Sequence, residues 1–167
     1  MLKGILLSVI IVACAAAGRS LSNVHKRRAE LLAELLASAR VLRLRMLNSL
    51  EPIGILLRRS DAKVFQDLGN NLREGASLAE LWQELRVRVM RRGGQLDCLA
   101  QSDIRILDEL FGKLGASGRD EQNAMFSTIL AQMETAQEQA QARSAETSRM
   151  YTTLGALLGI GISVLIA

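Results

Sequence analysis

Apolar residues in the middle of the chain recur at steps of three and four residues, the spacing of one face of an α-helix. The first stripe is long, and its helix is predicted to end before Pro52, because proline disfavours helical geometry in the residue before it. A short helix around residues 53–59 follows, and a third is predicted to stop at Gly75. The apolar positions of the first and third helices are Leu32, Leu35, Leu36, Ala39, Leu42, Met46 and Leu50, and Val64, Phe65, Leu68 and Leu72.

A pattern typical of helix starts opens the second half of this middle segment. Ser77-x-x-Glu80 forms a capping box, which predicts a fourth helix that ends at Gly93-Gly94. A fifth helix is predicted over residues 103–114. The inward-facing positions of these two helices are Leu78, Leu81, Trp82, Leu85 and Val89, and Ile104, Leu107, Leu110, Phe111 and Leu114.

The last predicted helix is the longest. Gly115 is expected to stop the fifth helix, and a second capping box, Ser117-x-x-Asp120, to start the sixth, which no sequence signal breaks before the C-terminal end. The chain has one Pro and only 3% aromatic residues, a composition poor in turn and strand formers. These patterns predict an all-α protein, a helical bundle of about six helices.

The two ends of the chain are apolar, and residues 4–18 and 152–167 carry no charged side chain. Residues 1–18 and 152–167 are predicted to be transmembrane anchors, flanking a helical-bundle domain at 19–151. The first segment is barely long enough, because a transmembrane helix needs about 20 residues. Two alternatives stay open there: a cleaved signal peptide, with small residues at 15–17, and a lipobox-like stretch that ends at Cys14.

Charge indicates how the middle is oriented. Residues 19–92 carry 15 basic against 8 acidic residues, whereas residues 93–151 carry 5 against 9. Four basic residues follow the first apolar segment closely, namely Arg19, Lys26, Arg27 and Arg28. Because basic residues mark the cytoplasmic side of a membrane, both anchors are predicted to leave the middle in the cytoplasm. Anionic lipid headgroups or plain solvation explain these basic runs better than nucleic acid, since they hold no aromatic residues.

No constellation of residues suggests catalysis. His25 is the only histidine, and Cys98 lies beside Asp97, where a thiol stays protonated. Adjacent carboxylates such as Asp108 and Glu109 diverge on a helix, which suits solvation or capping better than acid–base work. We therefore expect no catalytic residue, no metal or cofactor site and no small-molecule substrate, so the protein is predicted not to be an enzyme.

Several motifs resemble those of the stage III sporulation protein AB family of endospore-forming bacteria. The most specific is Leu110-Phe111-Gly112-x-Leu114-Gly115-x-Ser117-x-Arg119-x-x-Gln122, and Tyr151-x-x-Leu154-Gly155 opens the C-terminal segment as in that family. Leu68-x3-Leu72-x2-Gly75-x2-Leu78-x3-Trp82 is similar to the glycine-centred turn of type II secretion and type IV pilus platform proteins. The chain departs from the family pattern at Gly118, where an acidic residue is usual, and at Cys14.

The resemblance implies a non-enzymatic, two-pass membrane component of the mother cell–forespore channel complex, which endospore formation needs. It would sit in the outer forespore membrane with its helical domain in the mother-cell cytoplasm. There it would link a cytoplasmic ATPase to membrane ring proteins of the same operon, as a homo-oligomer or within a hetero-oligomeric complex. The alternative is a lipoprotein or secreted helical binding protein processed at Cys14.

Two helix ends are the predicted partner-binding surfaces. The candidate residues are Gly75, Leu78 and Trp82 at one end, and Gly112, Leu114, Gly115, Arg119 and Gln122 at the other. The structural alternative is that these glycines and caps only let the helices turn and pack.

Overall fold

The computed structural model describes residues 2–49, 51–73 and 75–166, with only the backbone described at 2–22, 148, 151, 152 and 154–166. The described residues form helices and connecting turns and contain no strand, which confirms the all-α fold. The helices are α1 (Leu2–Asn48), α2 (Ile53–Arg58), α3 (Lys63–Asn71), α4 (Leu78–Val89), α5 (Gln101–Lys113) and α6 (Arg119–Ile166).

The chain divides into two compact units. One comprises Met1–Ala29 and Gln139–Ala167, and the other comprises Glu30–Glu138. In the described part of the chain, no helix is both long and apolar enough to be a candidate membrane span. The side chains of the predicted anchors, 1–18 and 152–167, lie almost entirely outside the described residues, so these anchors stay predictions.

Helix boundaries agree with the sequence patterns at Pro52 and differ at Gly75. Pro52 is the N-cap of α2, directly before its first residue. The third helix was predicted to stop at Gly75, but α3 ends at Asn71 because Leu72 already adopts an extended backbone with ψ 114°. Gly75, with φ +79°, lies beyond the helix in a turn closed by the Ala76 N–H, which donates to Arg73 O at 3.1 Å.

Neither predicted capping box forms. Ser77 is the N-cap of α4, but its side chain makes no capping hydrogen bond. The first turn of α6 is closed by the Gln122 N–H donating to Gly118 O at 2.9 Å, which places the cap one residue beyond Ser117.

A side-chain hydrogen bond caps the start of α5, where the sequence analysis placed no cap. The fifth helix was predicted to begin at Asp103, but α5 begins at Gln101, and Asp103 accepts a hydrogen bond of 2.9 Å from the Ala100 N–H through Oδ2. Alanine at the N-cap hides this pattern, because it cannot supply the other half of a capping box.

The core of the 30–138 unit is centred on three aromatic rings. The ring centroid of Phe111 on α5 lies 4.7 Å from that of Trp82 on α4 and 5.1 Å from that of Phe65 on α3, edge-on in the latter case. All three side chains are fully buried, and aliphatic residues from α1 to α6 surround them. Burial of this kind is the main source of folding free energy. The three rings pack α3, α4 and α5 against one another.

Candidate partner-binding site

The α5–α6 turn presents one of the predicted surfaces. After α5 ends at Lys113, Leu114 turns to φ −67° and ψ 120°, and Gly115 follows with φ +77°. The Ala116 N–H donates to Lys113 O at 3.3 Å, which closes a type II turn with Gly115 at the position that requires a positive φ. Leu114 is buried and Gly115 is exposed, so the turn is fixed to the core on one side and faces solvent on the other.

Gln122 in the first turn of α6 holds this turn in place. Its Nε2 donates to Lys113 O at 2.8 Å and to Ser117 Oγ at 2.9 Å, and its Oε1 accepts from the Gly115 N–H at 3.3 Å. The residue is 5% exposed, so its amide is satisfied almost entirely by the turn. A buried side-chain amide with all its polar atoms bonded rigidifies the loop that it contacts.

A groove lies between the α5–α6 turn and the C-terminal end of α1. It has a volume of about 300 Å³, and most of its surface is apolar. The residues that line this groove, hereafter the α1–α6 groove, are Met46, Leu47, Ser49, Gly115, Ser117, Arg119, Gln122 and Phe126. Its volume is at the low end of the range of small-ligand sites and is enough for a few apolar side chains.

Hydrogen bonds fix the two walls of the groove relative to each other. Arg43 on α1 donates to Asn123 Oδ1 through Nη2 at 2.7 Å and through Nε at 3.0 Å, and also to Ser127 Oγ at 3.1 Å. Arg40 pairs with Glu134 two turns further along α6. Two basic residues of the 19–92 segment, Arg40 and Arg43, therefore join α1 to α6.

The other predicted surface is mostly core. Leu78 is 7% exposed and Trp82 is fully buried, so their side chains pack inside the domain. The Trp82 Nε1 donates to Asp108 Oδ1 at 2.8 Å. Of this set only Gly75 is exposed. Leu78 and Trp82 therefore make the contacts expected if these residues only let the helices turn and pack.

Three of the predicted residues come together in the α1–α6 groove: Gly115, Arg119 and Gln122. Gly112 is exposed on α5 with open space around it, and Leu114 is buried beneath the turn. Sequence analysis missed Leu47 and Ser49, and it placed Met46 on a core-facing stripe only. A groove formed by the end of one helix and the start of another, far apart in sequence, leaves no local sequence signal.

Several other basic residues lie outside the groove. Arg88, Arg91 and Arg92 are exposed at the C-terminal end of α4. In the other unit Lys26 and Arg27 are exposed, Arg28 is half-buried, and the side chain of Arg19 lies outside the described residues.

Asp108 and Glu109 diverge as predicted. Asp108 binds Trp82 and Arg86, whereas Glu109 accepts from Lys113 Nζ at 2.7 Å. Contrary to the expectation of a solvated or capping role, Asp108 joins two helices. No group of three or more His, Cys, Asp or Glu residues in the described part of the chain is arranged to hold a metal ion.

Comparison with known proteins identifies the family. No curated protein and no solved structure matches the chain significantly. The family model of stage III sporulation protein AB matches residues 3–167, which includes the groove and both ends. The chain therefore belongs to the stage III sporulation protein AB family.

Proposed function

We propose that this sporulation protein is a non-enzymatic platform of the mother cell–forespore channel complex. In this role it links a cytoplasmic ATPase to membrane ring proteins encoded in the same operon. The family assignment gives the role in sporulation, and the likeness of residues 68–82 to secretion platform proteins suggests the finer role. A platform needs exposed, rigid surfaces for partners and no reaction centre.

The observation that best supports the proposal is that the α1–α6 groove is both held by hydrogen bonds and accessible to a partner. Gln122 fixes the turn on one side, and Arg43 ties α1 to α6 on the other. A preformed surface loses little conformational entropy when a partner binds, which favours affinity. Such a surface on a helical domain suits a docking role.

The proposal includes a two-pass topology with residues 19–151 in the mother-cell cytoplasm. It is supported by the basic residues Arg19, Lys26, Arg27 and Arg28 after the first apolar segment. A cysteine at exposed Gln83, in a Cys98→Ser background, tests it with a membrane-impermeant maleimide. We expect labelling only after lysis, and the parent without the new cysteine measures background. Labelling of intact cells would instead favour the lipoprotein processed at Cys14.

The binding role is tested with the full-length protein in lipid nanodiscs. The purified ATPase of the operon is added, and retention is measured by pull-down and sedimentation. We expect saturable binding that empty nanodiscs lack. Binding equal to that of empty nanodiscs, at ATPase concentrations of tens of micromolar, would overturn the linking role.

A further inference from the structure

The α1–α6 groove combines an apolar interior with an uncommitted positive charge. Arg119 is exposed at its edge, and the described residues offer it no hydrogen bond or ion pair. Its neighbours Asp120 and Glu121 follow at about 100° and 200° around α6, so they point away from the lining positions Arg119, Gln122 and Phe126.

Three other basic residues at the ends of α5, α2 and α1 already have partners. Lys113 at the end of α5 binds Glu109, and Arg59 binds Glu51 beyond the end of α1 at 3.0 Å. Arg45, in the last turn of α1, donates to Arg59 O at 2.9 Å through Nη1. Arg119 is the one charged side chain among the residues that line the groove.

Apolar surface extends from the groove onto α1. Leu44 is 60% exposed, an unusual exposure for a large apolar side chain. It lies three residues before Leu47, and residues at this spacing are neighbours on a helix surface. Exposed apolar surface continuous with a groove is typical of protein-binding sites.

We propose that the α1–α6 groove receives a short segment of a partner protein that carries an apolar side chain and a nearby carboxylate. The apolar side chain packs against Met46 and Leu47, the half-buried apolar residues of the lining, and the carboxylate pairs with Arg119. Leu44 contacts a second apolar residue of the same segment. This inference deepens the proposed function and rests on it, because it assigns the chemistry by which a partner docks.

The charge at the groove edge selects this occupant. A purely apolar segment would leave the exposed Arg119 guanidinium paired only with water, and a basic segment would be repelled. Complementary charge at an interface rim speeds association and rejects wrong partners more than it adds affinity. The carboxylate therefore determines which segment binds, and the apolar contact supplies most of the binding free energy.

The test selects peptides on the full-length protein in lipid nanodiscs, from a displayed library of random 12-residue sequences. We expect enriched peptides to combine a large apolar residue with Asp or Glu within four positions. Arg119→Glu should weaken their binding by about tenfold. Arg88→Glu is the matched control, since Arg88 is also exposed on a helix, and should change binding less than twofold.

Leu44→Gln and Val87→Gln form a second matched pair, because Leu44 and Val87 are 60% and 62% exposed. Only Leu44→Gln should weaken the enriched peptides, by about threefold or more. The proposal is overturned if enriched peptides lack a carboxylate, if they bind the Arg119→Glu protein within twofold, or if no peptide is enriched over empty nanodiscs. Saturable binding of the ATPase in any of these cases would leave the proposed function standing and place its site elsewhere.

Discussion

Trp82 and Asp108 connect α4 and α5 through a single hydrogen bond of 2.8 Å from the indole Nε1 to Oδ1. The second carboxylate oxygen, Oδ2, lies 3.1 Å from Arg86 Nη1 on the next turn of α4. The Trp82 ring is fully buried against Phe111, so its N–H has no access to water. One oxygen of Asp108 thus accepts the hydrogen bond of the buried Trp82 indole, and the other pairs with the partly exposed Arg86 guanidinium.

Removing this acceptor should destabilise the domain. Asp108→Ala leaves the indole N–H buried without a partner, which we expect to lower the free energy of unfolding by about 1.5–3 kcal/mol. Asp108→Asn keeps an oxygen for Trp82 and loses only the pairing with Arg86, a loss of about 1 kcal/mol or less. Thermal unfolding of the full chain in one detergent, followed by circular dichroism, measures both. Equal losses would mean that the indole bond contributes nothing.

Two buried serines should respond oppositely to replacement by alanine. Ser38 Oγ on α1 accepts the Ala62 N–H at 3.0 Å, a bond that caps the start of α3 from outside its own sequence. Ser38→Ala leaves that N–H unpaired and should cost about 1–2 kcal/mol. Ser60 is also buried, but its hydroxyl has no partner among the described residues. Ser60→Ala should be neutral or stabilising by up to about 1 kcal/mol.

The two serine variants control for each other, since both remove one hydroxyl from a buried site. Denaturant unfolding in the same detergent gives the comparison, and Ser38→Ala must have the lower midpoint. A larger loss in Ser60→Ala would contradict the assignment of its hydroxyl as unpartnered.

Gln122 should control the order of the α5–α6 turn. Gln122→Ala removes the bonds to Lys113 O, Ser117 Oγ and Gly115 N, and should lower the free energy of unfolding by about 1–3 kcal/mol. Hydrogen exchange at the Gly115 amide should accelerate, because its acceptor is gone. Gln122→Glu retains that acceptor and loses the donor to Lys113 O. The Gly115 amide should exchange more slowly in Gln122→Glu than in Gln122→Ala. Equal exchange rates at Gly115 in the two variants would refute the role of Oε1.

The periodicity of apolar residues in the sequence was sufficient to predict the helices, but it was not sufficient to predict where they begin and end. Leu35, Phe65 and Trp82 fall on predicted stripes and are buried, because a 3.6-residue period is a property of one helix alone. The cap at the start of α3 depends on packing, since Ser38 lies 24 residues away from Ala62, whose N–H donates to it. The groove was predicted only in part, through Gly115, Arg119 and Gln122. Its other wall comes from α1, whose sequence contains no sign of α6.

Substitution of Gly69, a glycine within α3, tests how closely α3 approaches α2. A Cβ at Gly69 would lie 2.5 Å from Arg58 N and 2.8 Å from Gly54 O, both backbone atoms that cannot move aside cheaply. Gly69→Ala should therefore destabilise by about 1–3 kcal/mol, because the clash outweighs alanine's helix propensity, worth about 1 kcal/mol. A stability equal to that of the unmodified protein would mean that the two helices lie further apart.

Gly112 provides the control for that substitution. It also lies in a helix, α5, but a Cβ there would meet nothing within 4 Å. Gly112→Ala gains helix propensity without a clash and should stabilise the domain by about 0.5 kcal/mol, less than the full value because α5 ends one residue later. Unfolding midpoints of the two variants should move in opposite directions. If Gly112→Ala fails to bind the ATPase while remaining folded, the residue is a contact for the partner, and the exposed surface of α5 belongs to the docking site.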